Sequence, residues 1–433
     1  MNRERWNSSF GMIMASLGSA VGLGALWQFP YILYRRGGGL FFLCYVFFTI
    51  AIGIPLLIAE FRLGQLSVQR KEGKGGIVGI FSHYPRWSWI GYLIAFSCLA
   101  TLSYYCVVAG WGLRYVFSSL FSSHCCTGGE TLSFYQLAHS ALHTLLWMSL
   151  FLLLTGGICY RGVSSIEYWS KILMPFLLCI LVALLVEAYW IADLKRGVSF
   201  LLDASWKQFD AKSILSALGL SFFTLSLGLG SMLTYGSYMS PTSSLVRVSM
   251  SVVFSSIFVA GLFATMLFSY LYAYQHPISE GEGLVFCIMP VVLGALPGGK
   301  LLSFFFFLLF TFTALSTSIS LLEVVIGHVF HQYGLNRATS VLVSMFCVWV
   351  ASFVVILFRC NIPLLNHWIP RHSEYFSMLI GCVSDFFIPI TMIGISVLFG
   401  WYTDELECPW KRVWMRWAIP GITFVLLTSS RMS

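Results

Sequence analysis

The chain is poor in charge. Asp, Glu, Lys and Arg make up 10% of its 433 residues, with 17 acidic against 25 basic side chains. Ordinary soluble domains carry about a quarter charged residues, so this chain has too little polar surface to cover a soluble globule of its length. The segments of about ten residues with alternating polarity that build an outer-membrane barrel are also missing. No HExxH helix, GxSxG elbow or complete Walker loop occurs, which removes the usual sequence grounds for a zinc protease, a serine hydrolase or a nucleotide hydrolase. Nothing is low in complexity, and no soluble domain is appended. The first eight residues, MNRERWNS, lack the apolar core and small-residue cleavage site of a removable signal, so this amino terminus is expected to be retained.

What the chain has is apolar length. Hydrophobic residues make up 58% of it, and its mean hydropathy is +0.83. Spans are expected at 9–33, 40–64, 88–118, 143–160, 165–190, 213–239, 246–274, 299–330, 338–358, 374–401 and 411–428. Helices must do the spanning, because in lipid each peptide group has to be satisfied within its own segment. The reading is therefore an all-α polytopic membrane protein with about eleven transmembrane helices. The net charge of +8 is scattered over short loops, which fits membrane topology and no nucleic-acid partner. With the amino terminus cytoplasmic, Arg70, Lys71, Lys74 and Arg86 form the main inside cluster, while Arg35, Arg36, Lys195 and Arg196 fall against the rule. An odd span count places the carboxyl terminus outside. Segments 191–212 and 275–298 are expected to form surface helices capping the bundle. Most of the 12 cysteines, such as Cys44, Cys98, Cys179 and Cys347, sit in apolar runs as small hydrophobes. Cys125 and Cys126 fall in an outside loop, where redox activity or a disulfide stays open.

One stretch organises the rest. Ala15 to Tyr31 reads ASLGSAVGLGALWQFPY, with Gly18, Gly22, Gly24 and Pro30 inside a run long enough to cross a bilayer. Unwound backbone at membrane depth survives only where it is buried in protein or lines a polar site. A second interrupted run, SFFTLSLGLGSMLTY from Ser221 to Tyr235, carries Gly228 and Gly230 in the sixth span. Breaks in spans one and six are what two five-span halves in inverted orientation produce, and paired breaks point to a transporter binding site. After the first break, the amides of Leu23 and Gly24 offer a positive helix end to a carboxylate. Before it, the carbonyls of Gly18, Ala20 and Val21 suit an ammonium group or a small hard cation. Together these describe an amino-acid site.

The motifs RERW, GSAVGLG with a following WQFPY, FFTLSLG and ALSTSISLLE resemble the neurotransmitter:sodium symporter family in its bacterial amino-acid branch, the leucine-transporter-like members. The resemblance implies a 5+5 inverted repeat with helices 1 and 6 unwound at mid-membrane: a cytoplasmic gate segment at 1–8, a first repeat at 9–190, an extracellular loop at 191–212, a second repeat at 213–402, and an eleventh helix with tail at 403–433. It implies that the substrate carboxylate meets Leu23, Gly24 and Tyr105, and that the amino group meets Ala20, Phe223, Thr224 and Ser226. The substrate side chain would then lie among Thr101, Tyr105, Phe223, Leu229, Thr317 and Leu321. The second sodium site would use Gly18, Val21, Thr313, Ser316 and Thr317, and five neutral oxygens suit a monovalent hard cation.

Other positions depart from the family. The first sodium site keeps Ala20 and Thr224, but the family's asparagines fall on Ala25 and Ser256, so one sodium is expected and the second is in doubt. Chloride-binding groups fall on Leu220 and Ala260 with Tyr45 retained, so chloride dependence is not expected. The outer-gate arginine is Gln28, and its acid maps to Ile380, near Glu374 and Asp385. At the inner gate Arg3, Trp6, Ser237 and Tyr238 match, while the acid expected opposite Arg3 is His331. Glu60 is expected to brace the unwound backbone of spans one and six, and Glu167 and Glu187 to reach the interface by snorkelling. The implied function is sodium-coupled import of an amino acid, bulky apolar or aromatic, across the inner membrane, with spans 1, 2, 6 and 7 rocking against 3, 4, 8 and 9. A transport-deficient amino-acid sensor is the alternative, and monomer and homodimer both stay open. No enzymatic step is implied.

Overall fold

Ser8 starts the fold: its side chain accepts a hydrogen bond from the Gly11 amide at 3.0 Å and caps α1 (Ser9–Ala20). The structure is a computed structural model and describes residues 4–69, 75–121, 134, 138, 140–203, 206, 208–274, 282–359, 378–402 and 414–429. Helix α1 stops at Val21, and the chain resumes in a wide π-helical turn, Gly24–Gln28, that runs into α2 (Phe29–Arg35). The two halves meet at 52°. The second span joins α3 (Gly39–Phe48) to α4 (Ile54–Gln69), and the short α5 (Gly76–His83) leads to the long α6 (Ser88–Phe121). Next come α7 (Ala141–Cys159), α8 (Val163–Ile191) and α9 (Leu194–Leu202), a surface helix capped by Asp193.

The sixth span is divided into α10 (Ala211–Thr224) and α11 (Ser231–Ser237), with Gly228 and Gly230 at φ of 75° and 78°, a region open to glycine and costly for other residues. It is followed by α12 (Leu245–Tyr274), the short α13 (Met289–Gly294), α14 (Gly299–Tyr333), α15 (Arg337–Arg359), α16 (Ile388–Tyr402) and α17 (Ile419–Ser429). Both segments expected to cap the bundle contain a short helix, α9 and α13. Among the described residues eight helices are long and apolar enough to cross a membrane, or nine with the bent pair. The other two expected spans are the divided sixth, whose halves are each too short to qualify, and the last, described over 414–429.

Wide turns recur at Gly24–Gln28, Thr49–Gly53, Leu284–Ile288, Cys382–Phe387 and Trp414–Ala418. Each ends two residues before a proline: Pro30, Pro55, Pro290, Pro389 and Pro420. Proline has no N–H and its ring collides with the carbonyl four residues earlier, and one extra residue in the preceding turn moves that carbonyl aside. Pro175 sits inside α8 without such a turn.

Helices α6 and α14 are the centre of the bundle. Of their membrane-length windows, 72% and 83% is buried, against 33% for α15 and 39% for α8. On α7 the exposed residues Leu142, Leu146, Leu150 and Leu153 recur at helical spacing, an apolar face suited to lipid. The eight described cysteines are free; Cys125 and Cys126 lie outside the described residues.

Candidate functional site

The two breaks face each other. Ser226, at φ 52° in the non-helical stretch of span six, donates its hydroxyl to the Ser19 carbonyl of span one at 2.7 Å. Between the breaks and the facing sides of α6 and α14 lies a narrow, nearly closed cleft, lined by Ser19, Gly22, Gly24, Thr101, Tyr105, Phe223, Thr224, Ser226, Leu229, Thr317 and Leu321. Of the expected substrate residues only Ala20 and Leu23 are not on this wall, and Leu23 joins it through its backbone: its amide donates to the Tyr105 hydroxyl at 2.6 Å. Ser19 lines the cleft without having been expected there. The glycines are sterically required. A Cβ on Gly22 would lie 2.5 Å from Tyr105 Oη and 2.9 Å from Thr317 Oγ1, and one on Gly24 would lie 2.6 Å from the Phe223 ring.

Below the cleft, neutral oxygens converge. Ser316 donates to the Gly18 carbonyl at 3.0 Å and to Thr313 at 2.9 Å, while Thr317 reaches Gly18 at 3.1 Å and Val21 at 3.4 Å. Ser320 extends the network to Ser19 Oγ at 2.7 Å. The set holds two hydroxyls and three carbonyls and no carboxylate, a donor set for a monovalent hard cation. Two members of the other expected cation set, Thr224 and Ser256, meet at Tyr45. Thr224 Oγ1 is committed to Tyr45 Oη at 3.0 Å and the Leu220 carbonyl at 2.9 Å. Ser256 Oγ is buried and faces the Tyr45 hydroxyl.

At the end of the bundle where the chain begins, Trp6 packs edge-on against Tyr235, its ring N–H donating to the Tyr235 carbonyl at 3.0 Å and its amide to Tyr238 at 3.2 Å. The Tyr238 hydroxyl donates to the fully buried Glu323 at 2.7 Å. Arg337 holds Glu323 through two bonds of 2.8 and 2.6 Å, and Glu4 lies 3.8 Å from the same guanidinium. The Ser237 hydroxyl donates to the Thr234 carbonyl of its own helix at 2.6 Å. Arg3 lies outside the described residues. His331 Nδ1 accepts from the Gly75 amide at 3.4 Å, just before α5. Glu4 and Arg337 were missed because their approach is a tertiary contact between residues 333 positions apart, which no sequence spacing shows.

At the opposite end Gln28 is half-buried one turn beyond Gly24, and Asp385 accepts from Ser384 at 3.0 Å. Glu374 lies outside the described residues. Glu282 pairs with Arg359 there, and the Arg359 guanidinium also lies 5.7 Å from the Trp111 ring.

Two expectations for acids are corrected. Glu60, fully buried, accepts from the Gly228 amide of span six at 2.8 Å, but makes no bond to span one. Span one is instead tied by Ser226, Ser316 and Thr317. Glu167 does not snorkel: it is 1% exposed and turned toward the chain start. Glu187, half-buried, accepts from Tyr270.

Helices broken in spans one and six, an amide donor beside a tyrosine hydroxyl, and a cage of neutral oxygens define a secondary transporter of the inverted-repeat, broken-helix class. The chain belongs to the sodium:neurotransmitter symporter family, whose model matches residues 3–135 and 132–428. An uncharacterized sodium-dependent transporter of Bacillus subtilis, YhdH, is 34% identical over 331 residues, 75% of this chain and 72% of its own. Another from Methanocaldococcus jannaschii is 28% identical and covers 99% of this chain and 90% of its own. Among solved structures, that of MhsT in complex with L-phenylalanine matches with a TM-score of 0.87 at 29% identity, covering 99% of this chain and all of the other.

Proposed function

We propose that the chain imports an amino acid with a bulky apolar or aromatic side chain, coupled to sodium, by alternating access across the inner membrane. The observation that carries the reading is the convergence of five neutral oxygens, from Gly18, Val21, Thr313, Ser316 and Thr317, directly beneath a cleft with a backbone donor and a tyrosine hydroxyl on its wall. In this reading those oxygens hold one sodium. The substrate carboxylate takes the Leu23 and Gly24 amides and the Tyr105 hydroxyl, and its ammonium takes the Ala20, Phe223 and Thr224 carbonyls and Ser226.

Gly22 leaves no acid in the site, which favours a substrate bringing its own carboxylate. Leu229 between two left-handed glycines lets the wall around the substrate side chain adapt, and the phenylalanine in the MhsT structure supports the same size class. The missing oxygen at Ala25 argues for a single sodium, and Leu220 with Ala260 against chloride. The halves 9–190 and 213–402 are taken as the inverted repeats, with the amino terminus cytoplasmic, Trp6 and Tyr238 in the inner gate, and Gln28 in an outer gate without its ion pair.

Thermal unfolding screened over the twenty amino acids, in sodium and in potassium, tests this, because a ligand bound only by the folded state raises its stability. Stabilisation by at least one of Leu, Met, Phe, Tyr or Trp, in sodium only, is expected. No such amino acid, or one acting equally in potassium, contradicts the reading.

A further inference from the structure

Glu167 lies near the start of α8, and both of its oxygens are engaged. Oε2 accepts from the Asn7 amide at 2.7 Å; Oε1 accepts from the Ser8 hydroxyl at 2.7 Å and from Lys171 Nζ at 2.6 Å. Ser8 is the cap of α1, so the carboxylate rests on the positive end of that helix. Gly11 makes room for it: a Cβ there would lie 2.5 Å from Glu167 Oε1. At the far end of the same 12-residue helix, a rod of about 18 Å, the Gly18 and Val21 carbonyls belong to the oxygen cluster. Helix α1 is thus held by an anion at one end and offers its other end to a cation.

We propose that Glu167 is a positioning residue that latches α1 to span five, so that sodium at one end of α1 and the carboxylate at the other bias the same conformational equilibrium. The proposal rests on the sodium-coupled reading above, not on the identity of the amino acid. When α1 swings away to open the site inward, Asn7 and Ser8 leave the carboxylate and the Gly18 and Val21 carbonyls leave Ser316 and Thr317. Lys171 shares α8 with Glu167 and stays with it, so the carboxylate left behind keeps a counter-charge and the latch can close again. Because both contacts favour one state, weakening the latch lowers the apparent affinity for sodium.

Ala15, 2% exposed, is spaced to share the face of α1 that meets span five through Gly11 and Gly18, so Ala15→Cys reports when that face opens. Maleimide labelling of the full chain in proteoliposomes, corrected with the same chain lacking Ala15→Cys, is followed against sodium. In the Ala15→Cys parent, sodium slows labelling. Glu167→Gln, keeping the shape but not the charge, is expected to label faster without sodium and to need about tenfold more sodium for half-protection, the difference between charged and neutral acceptors. Saturating sodium restores protection, which damage to the fold would not allow.

Ser8→Gly removes the hydroxyl donor at little cost to the cap and is expected to shift half-protection in the same direction, by about threefold; it carries the test if Glu167→Gln does not fold. Unchanged half-protection in a folded variant, over a sodium-responsive parent, overturns the latch alone. A parent indifferent to sodium overturns both the latch and the sodium-coupled reading.

Discussion

Replacing Ser316 and Thr317 together by alanine takes two hydroxyls out of the oxygen cluster and leaves the carbonyls of Gly18, Val21 and Thr313. A hydrogen-bonding group facing a charge contributes roughly 1.5–3 kcal/mol, so the pair contribute about 3–6 kcal/mol to cation binding. That is about 10²- to 10⁴-fold in affinity. The same hydroxyls donate to buried carbonyls, and leaving such acceptors short costs about 1–3 kcal/mol of stability. Thermal unfolding against sodium concentration separates the two effects. In the parent, the midpoint rises once sodium passes its dissociation constant, and a hundredfold excess stabilises by about 2.7 kcal/mol. The double variant should start lower and stay flat over the range that saturates the parent. A rise in the variant with the parent's half-saturation would refute the assignment and leave the hydroxyls a role in folding only.

Tyr105→Phe removes the acceptor of the buried Leu23 amide and is expected to weaken amino-acid binding by about tenfold or more, read by calorimetry in saturating sodium. Gly24→Ala drives a methyl into the Phe223 ring, and overpacking of about 1–3 kcal/mol should weaken binding by about five- to 150-fold. Asp210 caps α10, and hydrogen bonds from Ser213, helped by Arg36 and Lys212, hold its carboxyl below the usual range. Its contribution is therefore present above the unfolded value of about 3.9 and lost as pH falls through the lower folded value. Asp210→Ala should cost about 0.5–1 kcal/mol at neutral pH, and the gap in melting temperature should close in acid.

The breaks were legible because glycine clusters inside apolar runs have few other uses: Gly228 and Gly230 do take left-handed backbone, and Gly22 and Gly24 do admit Tyr105 and Phe223. The wide turns were not read, since an extra residue in a turn leaves no periodicity, although the proline two residues after each was a usable signal. Charges were read least well. Whether Glu167 reaches the interface or docks on α1 depends on what packs across from it, and two carboxylates at similar span ends, Glu167 and Glu187, differ in burial for that reason alone. His331 shows the same limit: its bond to the Gly75 amide is a tertiary contact that no sequence spacing states.

The central claim is that one sodium moves with one amino acid. One sodium entering down about 100 mV contributes about 2.3 kcal/mol, close to fifty-fold accumulation. Proteoliposomes with an inward sodium gradient and an inside-negative potential should therefore concentrate a labelled amino acid of the stabilising class, and should lose that accumulation when sodium is replaced by potassium. Sodium-dependent binding with no accumulation above equilibrium would contradict symport and leave a sensor.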